Sequence, residues 1–188
     1  MRFDIPALGF APYLTLLGMT LLAATLPLLL VRRNTLSANL RVGAFIVALL
    51  LPVVAVLGLS MTRNSLDVRD GQLIVRAGYF YEYARDIHEF NLARARLGTQ
   101  ASLAPQGLGE RDNGIRLPGY TAGRFSHGER GALFVTVTDS ERVVFLPARR
   151  GQSLLVSVEQ GDELLQILYD AAPGKTPVAG LQLSRIDE

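Results

Sequence analysis

The residue types that usually perform chemistry are few in this chain, and their spacing does not favour it. Cysteine is absent, which excludes thiol catalysis, disulfide frameworks and cysteine-ligated metals. His88 and His127 are the only histidines, and neither stands at metal-ligand spacing from another donor, so both read as surface residues. Asp139-Ser140-Glu141 sets a hydroxyl between two acids, but it falls in an expected turn with no adjacent base to activate the serine. Gly107-Leu108-Gly109 and Gly114 are followed by neither a helix nor a phosphate-binding lysine, and read as loop. No catalytic constellation, metal site, cofactor or small-molecule substrate is therefore expected. What remains is arginine and tyrosine. Arg94 and Arg96 alternate on one face of an expected strand, and Arg149-Arg150-Gly151 occupies a loop. These four are candidates for contact with an anion or a lipid headgroup, against the alternative of solvated charges at strand edges. Tyr79, Tyr81 and Tyr83 share one face of another expected strand, either as core and sheet surface or as an aromatic patch for a protein partner.

The elements that must carry these residues divide sharply by hydropathy. The chain of 188 residues is 49% apolar and 19% charged. Its mean hydropathy of +0.25 is concentrated near the N-terminus. Residues 5–31 and 42–62 contain no charge at all. Two spans are expected, at about 6–31 and 42–61, because roughly 20 apolar residues cross a hydrocarbon core about 30 Å thick. Both are apolar all round, as lipid demands of a helix that satisfies its own backbone. Pro6 and Pro12 mark the expected start of the first span, and Pro27 and Pro52 are tolerated within spans. The absence of ionisable residues argues against a proton relay or ion path. Thr20/Ala24 and Ala44/Ala48 have the spacing of a helix contact face.

Two alternatives fare worse. A cleaved signal peptide has an apolar core of only 7–15 residues, and a soluble bundle would need the remaining residues to wrap two all-apolar helices. The segment Arg32 to Arg41, with three arginines and no acid, forces a hairpin with both chain ends on one side. Judged by the first helix, the positive-inside rule makes this loop cytoplasmic and the following domain extracytoplasmic. Counting all flanking arginines reverses that vote.

After Arg63 the periodicity changes to two residues. Ser65–Arg69 and Gln72–Arg76 flank Asp70-Gly71, a hairpin signal. Further strands are expected at Tyr79–Tyr83, Ile87–Leu97, Gly114–Leu117, Thr121–Ser126, Ala132–Thr138, Arg142–Leu146 and Ser153–Ser157, with Asp139-Ser140 as a tight turn. Gln100–Asn113 is the one long irregular stretch, either functional or a linker. Ser157 is expected to cap a helix over about 159–171 whose stripe of Leu164, Leu165, Ile167 and Leu168 closes the sheet. Residues 173–188 form an expected flexible tail, with a late strand possible over Val178–Leu183. The expected class is α+β: a transmembrane hairpin over 1–62, then an antiparallel barrel or sandwich of about seven strands over 63–172.

The run Asn113-Gly114-Ile115-Arg116-Leu117-Pro118-Gly119-Tyr120, followed by Gly123-Arg124-Phe125, resembles bacterial pleckstrin-homology-like membrane proteins. So do Asp70-Gly71-Gln72-Leu73-Ile74 with Gly78-Tyr79, and Leu155-Val156-Ser157 leading to Asp162-Glu163-Leu164-Leu165. The resemblance covers about residues 63–171 and implies a PH-like module tethered to a bacterial inner membrane as a multi-pass protein. It implies architecture at Gly114, Arg116, Gly119, Tyr120, Gly123 and Phe125 rather than catalysis. Fold alone is a weak warrant for activity. Two functions follow: recognition of a protein partner or a second copy at the membrane, or binding of anionic headgroups. Residues 63–188 carry 15 Lys+Arg, the chain's 19 less Arg2, Arg32, Arg33 and Arg41, and 16 Asp+Glu, its 17 less Asp4. The net charge near −1 gives this part no global field for nucleic acid or anionic lipid.

Overall fold

The computed structural model describes residues 1–30, 36–127 and 131–172. Arg32, Arg33, the tail over 173–188 and the late strand within it lie outside the described residues. A two-residue strand β1 (Arg2–Phe3) precedes helices α1 (Ala11–Leu30) and α2 (Leu36–Met61). Strands β2 (Asn64–Arg69), β3 (Gln72–Ala77) and β4 (Tyr81–Asp86) follow. Two 3-10 turns (Ile87–Glu89, Leu92–Arg94), β5 (Arg96–Gly98) and the short helix α3 (Gln100–Leu103) come next. Then come β6 (Glu110–Leu117), β7 (Tyr120–His127), β8 (Gly131–Val137), β9 (Val143–Leu146), β10 (Ser153–Ser157) and α4 (Gly161–Ala171).

The first helix starts later than expected, and β1 explains why. Arg2 pairs with Asp67 and Phe3 with Leu66, while Val68 N donates to the Met1 carbonyl at 2.7 Å. The residues after β1 continue along the module: Phe3 is 5% exposed, and Ile5 and Leu8 pack on the same core. Pro6 therefore lies in this extended segment, and Pro12 falls in the first turn of α1, where a missing N–H costs nothing. The second helix starts earlier than expected, so Arg41 is its first charged residue and not part of a loop. α2 has 26 residues, about 39 Å, and passes through Pro52. Its stretch Leu40–Met61 is long and apolar enough to cross a membrane, whereas the described apolar part of α1, Ala11–Leu26, is shorter than such a span.

The two helices pack against each other and touch the module at Pro12, Leu16, Ser60 and Met61, and much of their remaining apolar surface is bare. Thr20 and Ala24 lie on the half-buried side of α1, and a Cβ on buried Gly43 would come within 2.9 Å of the Ala24 carbonyl. Close backbone approach thus falls at Gly43; Ala44 and Ala48, expected at the contact, are exposed on the outer side. Leu14, Leu17, Leu22, Phe45, Leu49 and Val53 are all more than half exposed. Two helices buried in a soluble core would not leave these side chains bare.

Beyond the helices lie two sheets, one of four strands in order β1-β2-β3-β4 and one of six in order β5-β9-β10-β8-β7-β6. The hairpin at Asp70-Gly71 forms as its sequence requires, with φ of 51° and 75° at the two turn residues. The six-stranded sheet is mixed, because β10 runs parallel to β8 and antiparallel to β9. Asp139-Ser140 is therefore not a hairpin turn: the connection from β8 to β9 passes over the end of β10. Ser157 makes this possible. It is buried, and its Oγ accepts from Thr138 N and Asp139 N at 3.2 Å and donates to the Asp139 carbonyl at 2.7 Å. It does not cap a helix; α4 begins at Gly161 without a side-chain cap. Among the described residues no closed barrel forms: of the two expected arrangements the sheets take that of a sandwich, antiparallel except for the β8–β10 pair.

The main core lies between the sheets and under α4. It joins Phe3, Leu66, Leu73 and Val75 to Phe134, Val144, Leu154 and Val156, with Leu164, Leu165 and Leu168 closing it. The other face of the six-stranded sheet buries Phe125, Val135, Val137, Val143 and Leu155 under Ala104 and Leu108. Of the stretch expected to be irregular, residues 100–109 cover this second face, begun by α3, whose Thr99 cap accepts from Ser102 N, whereas 110–113 pair with β7 as the first half of β6. Burial on both faces explains why β10 is apolar without alternation. The expected strand over Ile87–Leu97 is instead two 3-10 turns that bury Ile87 and Leu92 and leave only Arg96–Gly98 to pair with β9.

Because Phe3 inserts into the main core, Phe3→Ala is expected to destabilise the module by about 3–5 kcal/mol. Thermal unfolding of the full chain in detergent measures it.

Candidate functional site

Two regions of the module contain the sequence-derived candidates, one where it meets the helices and one at the opposite end. The helix end is built from hydrogen bonds. Asn64 Nδ2 donates to the Met61 carbonyl at 2.7 Å, capping α2. Asn64 Oδ1 accepts from Gly78 N at 3.1 Å and lies 3.5 Å from the Tyr120 hydroxyl. Ser60, buried in the last turn of α2, accepts from Tyr79 N at 2.9 Å through its Oγ. Gly78 has φ of 64°, and a Cβ there would stand 2.3 Å from Ser60 Oγ. The β3–β4 turn therefore clasps the end of α2, and only glycine permits the approach.

The resemblance motif supplies the other half of this joint. Pro118-Gly119 turns β6 into β7, and a Cβ on Gly119 would lie 3.4 Å from Pro12 and 3.5 Å from Ala11, at the start of α1. Tyr120 is buried beside it, and burial pushes its hydroxyl well above the usual tyrosine range. Gly114 and Gly123 face each other across β6 and β7, where a Cβ on Gly123 would meet the Asn113 carbonyl at 2.4 Å. Arg116 donates to the Gly109 carbonyl at 3.3 Å, with its guanidinium 4.9 Å from the Phe125 ring centre. Tyr120, Gly123 and Phe125 are buried, Gly114 is half-buried, and Arg116 and Gly119 are exposed.

Tyr81 and Tyr83 share the inner face of β4 as expected, and Tyr79 does not join them. Tyr79 lies in the β3–β4 turn and is exposed, Tyr81 opens β4 half-buried, and Tyr83 is buried. Gly78 to Phe80 turn instead of extending, which breaks the alternation on which a common face depends. The ring of Tyr83 stacks on Phe134 at 5.1 Å, and its hydroxyl donates to the Gln152 carbonyl at 2.7 Å. Burial raises its pKa to about 12.

The loop carrying Arg149 and Arg150 meets the segment that leads to Arg94 at the far end, by a route the sequence does not show. Asn91 N donates to the Pro147 carbonyl at 2.8 Å, and Phe90 bridges Ala148, so the segment carrying Arg94 meets the loop carrying Arg149 and Arg150. Arg149 Nε donates to the Phe90 carbonyl at 3.2 Å, and Arg85 Nη1 donates to the Arg150 carbonyl at 2.6 Å. Arg94 closes a 3-10 turn and Arg96 starts β5 opposite Phe145, so the two do not alternate along a single strand. All four side chains are exposed. The Arg149–Arg150 loop lies beside the β4 terminus that pairs with Gln72, whereas the clasp on α2 lies at the other end of β3. Six strand residues, about 20 Å, separate the two ends.

Sequence spacing also missed a donor cluster here. Ligand atoms of Asp86, His88 and Glu89 lie within 4.8 Å of one another, because a 3-10 turn gathers positions that a strand would alternate. Arg85 pairs with Glu89 at 3.3 Å, a positive charge that opposes a cation at this place. His127 ends β7, and its side chain lies outside the described residues. Asp139 is a turn residue: the backbone N–H of Glu141 and the guanidinium of Arg142 hold its carboxyl below the usual range. A cleft of about 800 Å³ opens between Ala7 and Gly9, the Pro118–Gly119 turn, Leu108 and Thr138–Ser140. Its walls bring together neither a nucleophile with a base nor paired carboxylates.

Compared with protein-family models, curated proteins and solved structures, the chain matches none.

Gly78→Ala is expected to destabilise the joint by roughly 1–3 kcal/mol. Gly71→Ala is the control, since Gly71 shares a positive φ but has open space around it; a lower Tm for G78A than for G71A isolates the clasp. The raised pKa of Tyr83 means that the folded state holds its proton more tightly than the unfolded chain. Its contribution is complete below about pH 10, the unfolded value, and is lost as pH rises towards 12. Ultraviolet titration should show tyrosines ionising last as the fold is lost, and Tyr83→Phe should remove one of them.

Proposed function

We propose that this chain is a non-enzymatic, membrane-anchored module that holds its far end out to a protein partner at a bacterial inner membrane. The observation that carries this reading is the joint: three backbone and side-chain hydrogen bonds at Asn64 and Ser60, with Gly119 packed on Pro12, fix a β-rich module to an apolar helix pair. A rigid seat gives the module one defined outward end, and Arg94, Arg149 and Arg150 are exposed there. In this reading both helices cross the bilayer, with the loop between them cytoplasmic and the module outside. Support for PH-likeness comes from the opening hairpin, the β6–β7 hairpin with its glycine pair, and the amphipathic α4; the parallel β10 departs from that pattern.

Headgroup binding through Arg94, Arg96, Arg149 and Arg150 is the weaker reading. The Arg149–Arg150 loop stands about a strand's length from the helix end, beyond the roughly 8–10 Å over which salt leaves a surface charge effective. Self-association keeps support from one feature: β6 is an eight-residue outer strand whose second edge is unpaired among the described residues. Its alternating charges and a bulge at Arg111/Asn113 restrain such pairing.

Capture of a protein partner by the full chain from solubilised membranes tests the reading. Arg94→Glu with Arg150→Glu is expected to weaken that capture by about 30-fold or more, the loss of about 2 kcal/mol typical of a central interface arginine. Failure to enrich any partner, with a monomeric chain at high concentration, would count decisively against it. Because the chain lacks cysteine, Arg111→Cys reports self-association directly: a crosslinked dimer favours β6 pairing over an external partner.

A further inference from the structure

Among the described residues outside α1 and α2, the large apolar side chains left exposed are Met1, Phe10, Tyr79, Phe80 and Leu97. Three of these gather at one level, around the base of the helix pair. Phe10 immediately precedes α1 and is 85% exposed; Tyr79 and Phe80, at 61% and 55%, form the β3–β4 turn. Hydrogen bonds set the height of that turn, since Tyr79 N is held by Ser60 and Gly78 N by Asn64. The height of Phe10 is set by packing, because Gly58 near the end of α2 lies against the Tyr13 ring near the start of α1.

That level coincides with the edge of the lipid. The apolar stretch Leu40–Met61 has 22 residues, about 33 Å of helix, against a hydrocarbon core of roughly 30 Å. Ser60 therefore lies within a turn of the boundary, and the aromatic turn bonded to it falls in the headgroup layer, where aromatic rings are favoured. Charge stands further back: Arg63 is the first charged residue after α2, and Arg76 pairs with Glu82 at 3.3 Å behind the turn.

We infer that Phe10, Tyr79 and Phe80 form an aromatic collar that enters the lipid–water interface and seats the module upright on the bilayer. The inference rests on α2 being a membrane span and deepens the proposed function, because the collar is what keeps the arginine-bearing end turned away from the lipid. It assigns the exposed tyrosine of the 79–83 run to lipid and not to a protein partner.

The chain contains no tryptophan, so single substitutions report position without background. Tyr79→Trp, Phe80→Trp and, as a control outside the aromatic group, Leu97→Trp are placed in the full chain. Each is reconstituted in phosphatidylcholine–phosphatidylglycerol vesicles carrying lipids brominated near the headgroup or near the acyl terminus. Tryptophan at 79 and 80 is expected to emit at shorter wavelength than at 97. It should also be quenched severalfold more by the shallow bromines than by the deep ones, with position 97 unquenched. If the chain stays with the vesicles through an alkaline wash but positions 79 and 80 emit and quench like position 97, the collar is overturned while the span stands. Equal quenching at all three positions also overturns it, since the module would then lie flat. Release by the alkaline wash removes the span and the collar together.

Discussion

The clasp between the end of α2 and the β3–β4 turn constrains everything on either side of it. Ser60 and Asn64 use side-chain oxygens and an amide to satisfy groups that a helix end and a tight turn would otherwise leave unpaired. The chain has already entered the same sheet through β1 before α1 begins, so the helices depart from and return to one edge of a folded module. A pair of helices closed in this way is tied at its base. The module cannot swing freely on a linker, because no linker separates Met61 from β2 by more than two residues.

The second constraint is the β8–β9–β10 arrangement. Inserting β10 between two strands that precede it places an apolar five-residue strand at the centre of the six-stranded sheet. Both faces of that sheet then need cover. The four-stranded sheet and α4 protect one, and the segment beginning at α3 protects the other. Ser157 is where the topology becomes possible, since the crossing connection finds its hydrogen-bond partners on a single buried hydroxyl. The unpaired hydroxyls of Thr136 in β8 and of Thr138 just beyond it, both buried, show how few polar partners this core offers.

These two constraints leave the molecule with distinct ends. Apolar and aromatic exposure is concentrated around α1, α2 and the turn bound to them, while the 3-10 turns and the β9–β10 loop, with Arg149 and Arg150 exposed, meet at the end of the sandwich away from the helices. Polarity of this kind suits a body held at a surface and approached from the opposite side. The same separation sets Tyr79 apart from Tyr83, which lie in one short run of sequence but in different environments.

Hydropathy and two-residue alternation by themselves determined the apolar helix pair, the Asp70-Gly71 hairpin, β7 with the second half of β6, and the amphipathic terminal helix, because each depends on residues within a turn or a strand of one another. Glycine at 78, 114, 119 and 123 could be read as punctuation but not as contact, since what a missing Cβ admits is decided by a distant segment. Only the tertiary structure placed β10 between β8 and β9, converted Ser157 from an apparent helix cap into a bridge over a crossing, moved the helix contact from Ala44 and Ala48 to Gly43, and recruited residues 1–10 into the module. Strand order and burial on two faces arise from non-local pairing, in which the same alternating run can take any neighbour whose edge is free. Local periodicity states that a strand forms; it does not state beside what.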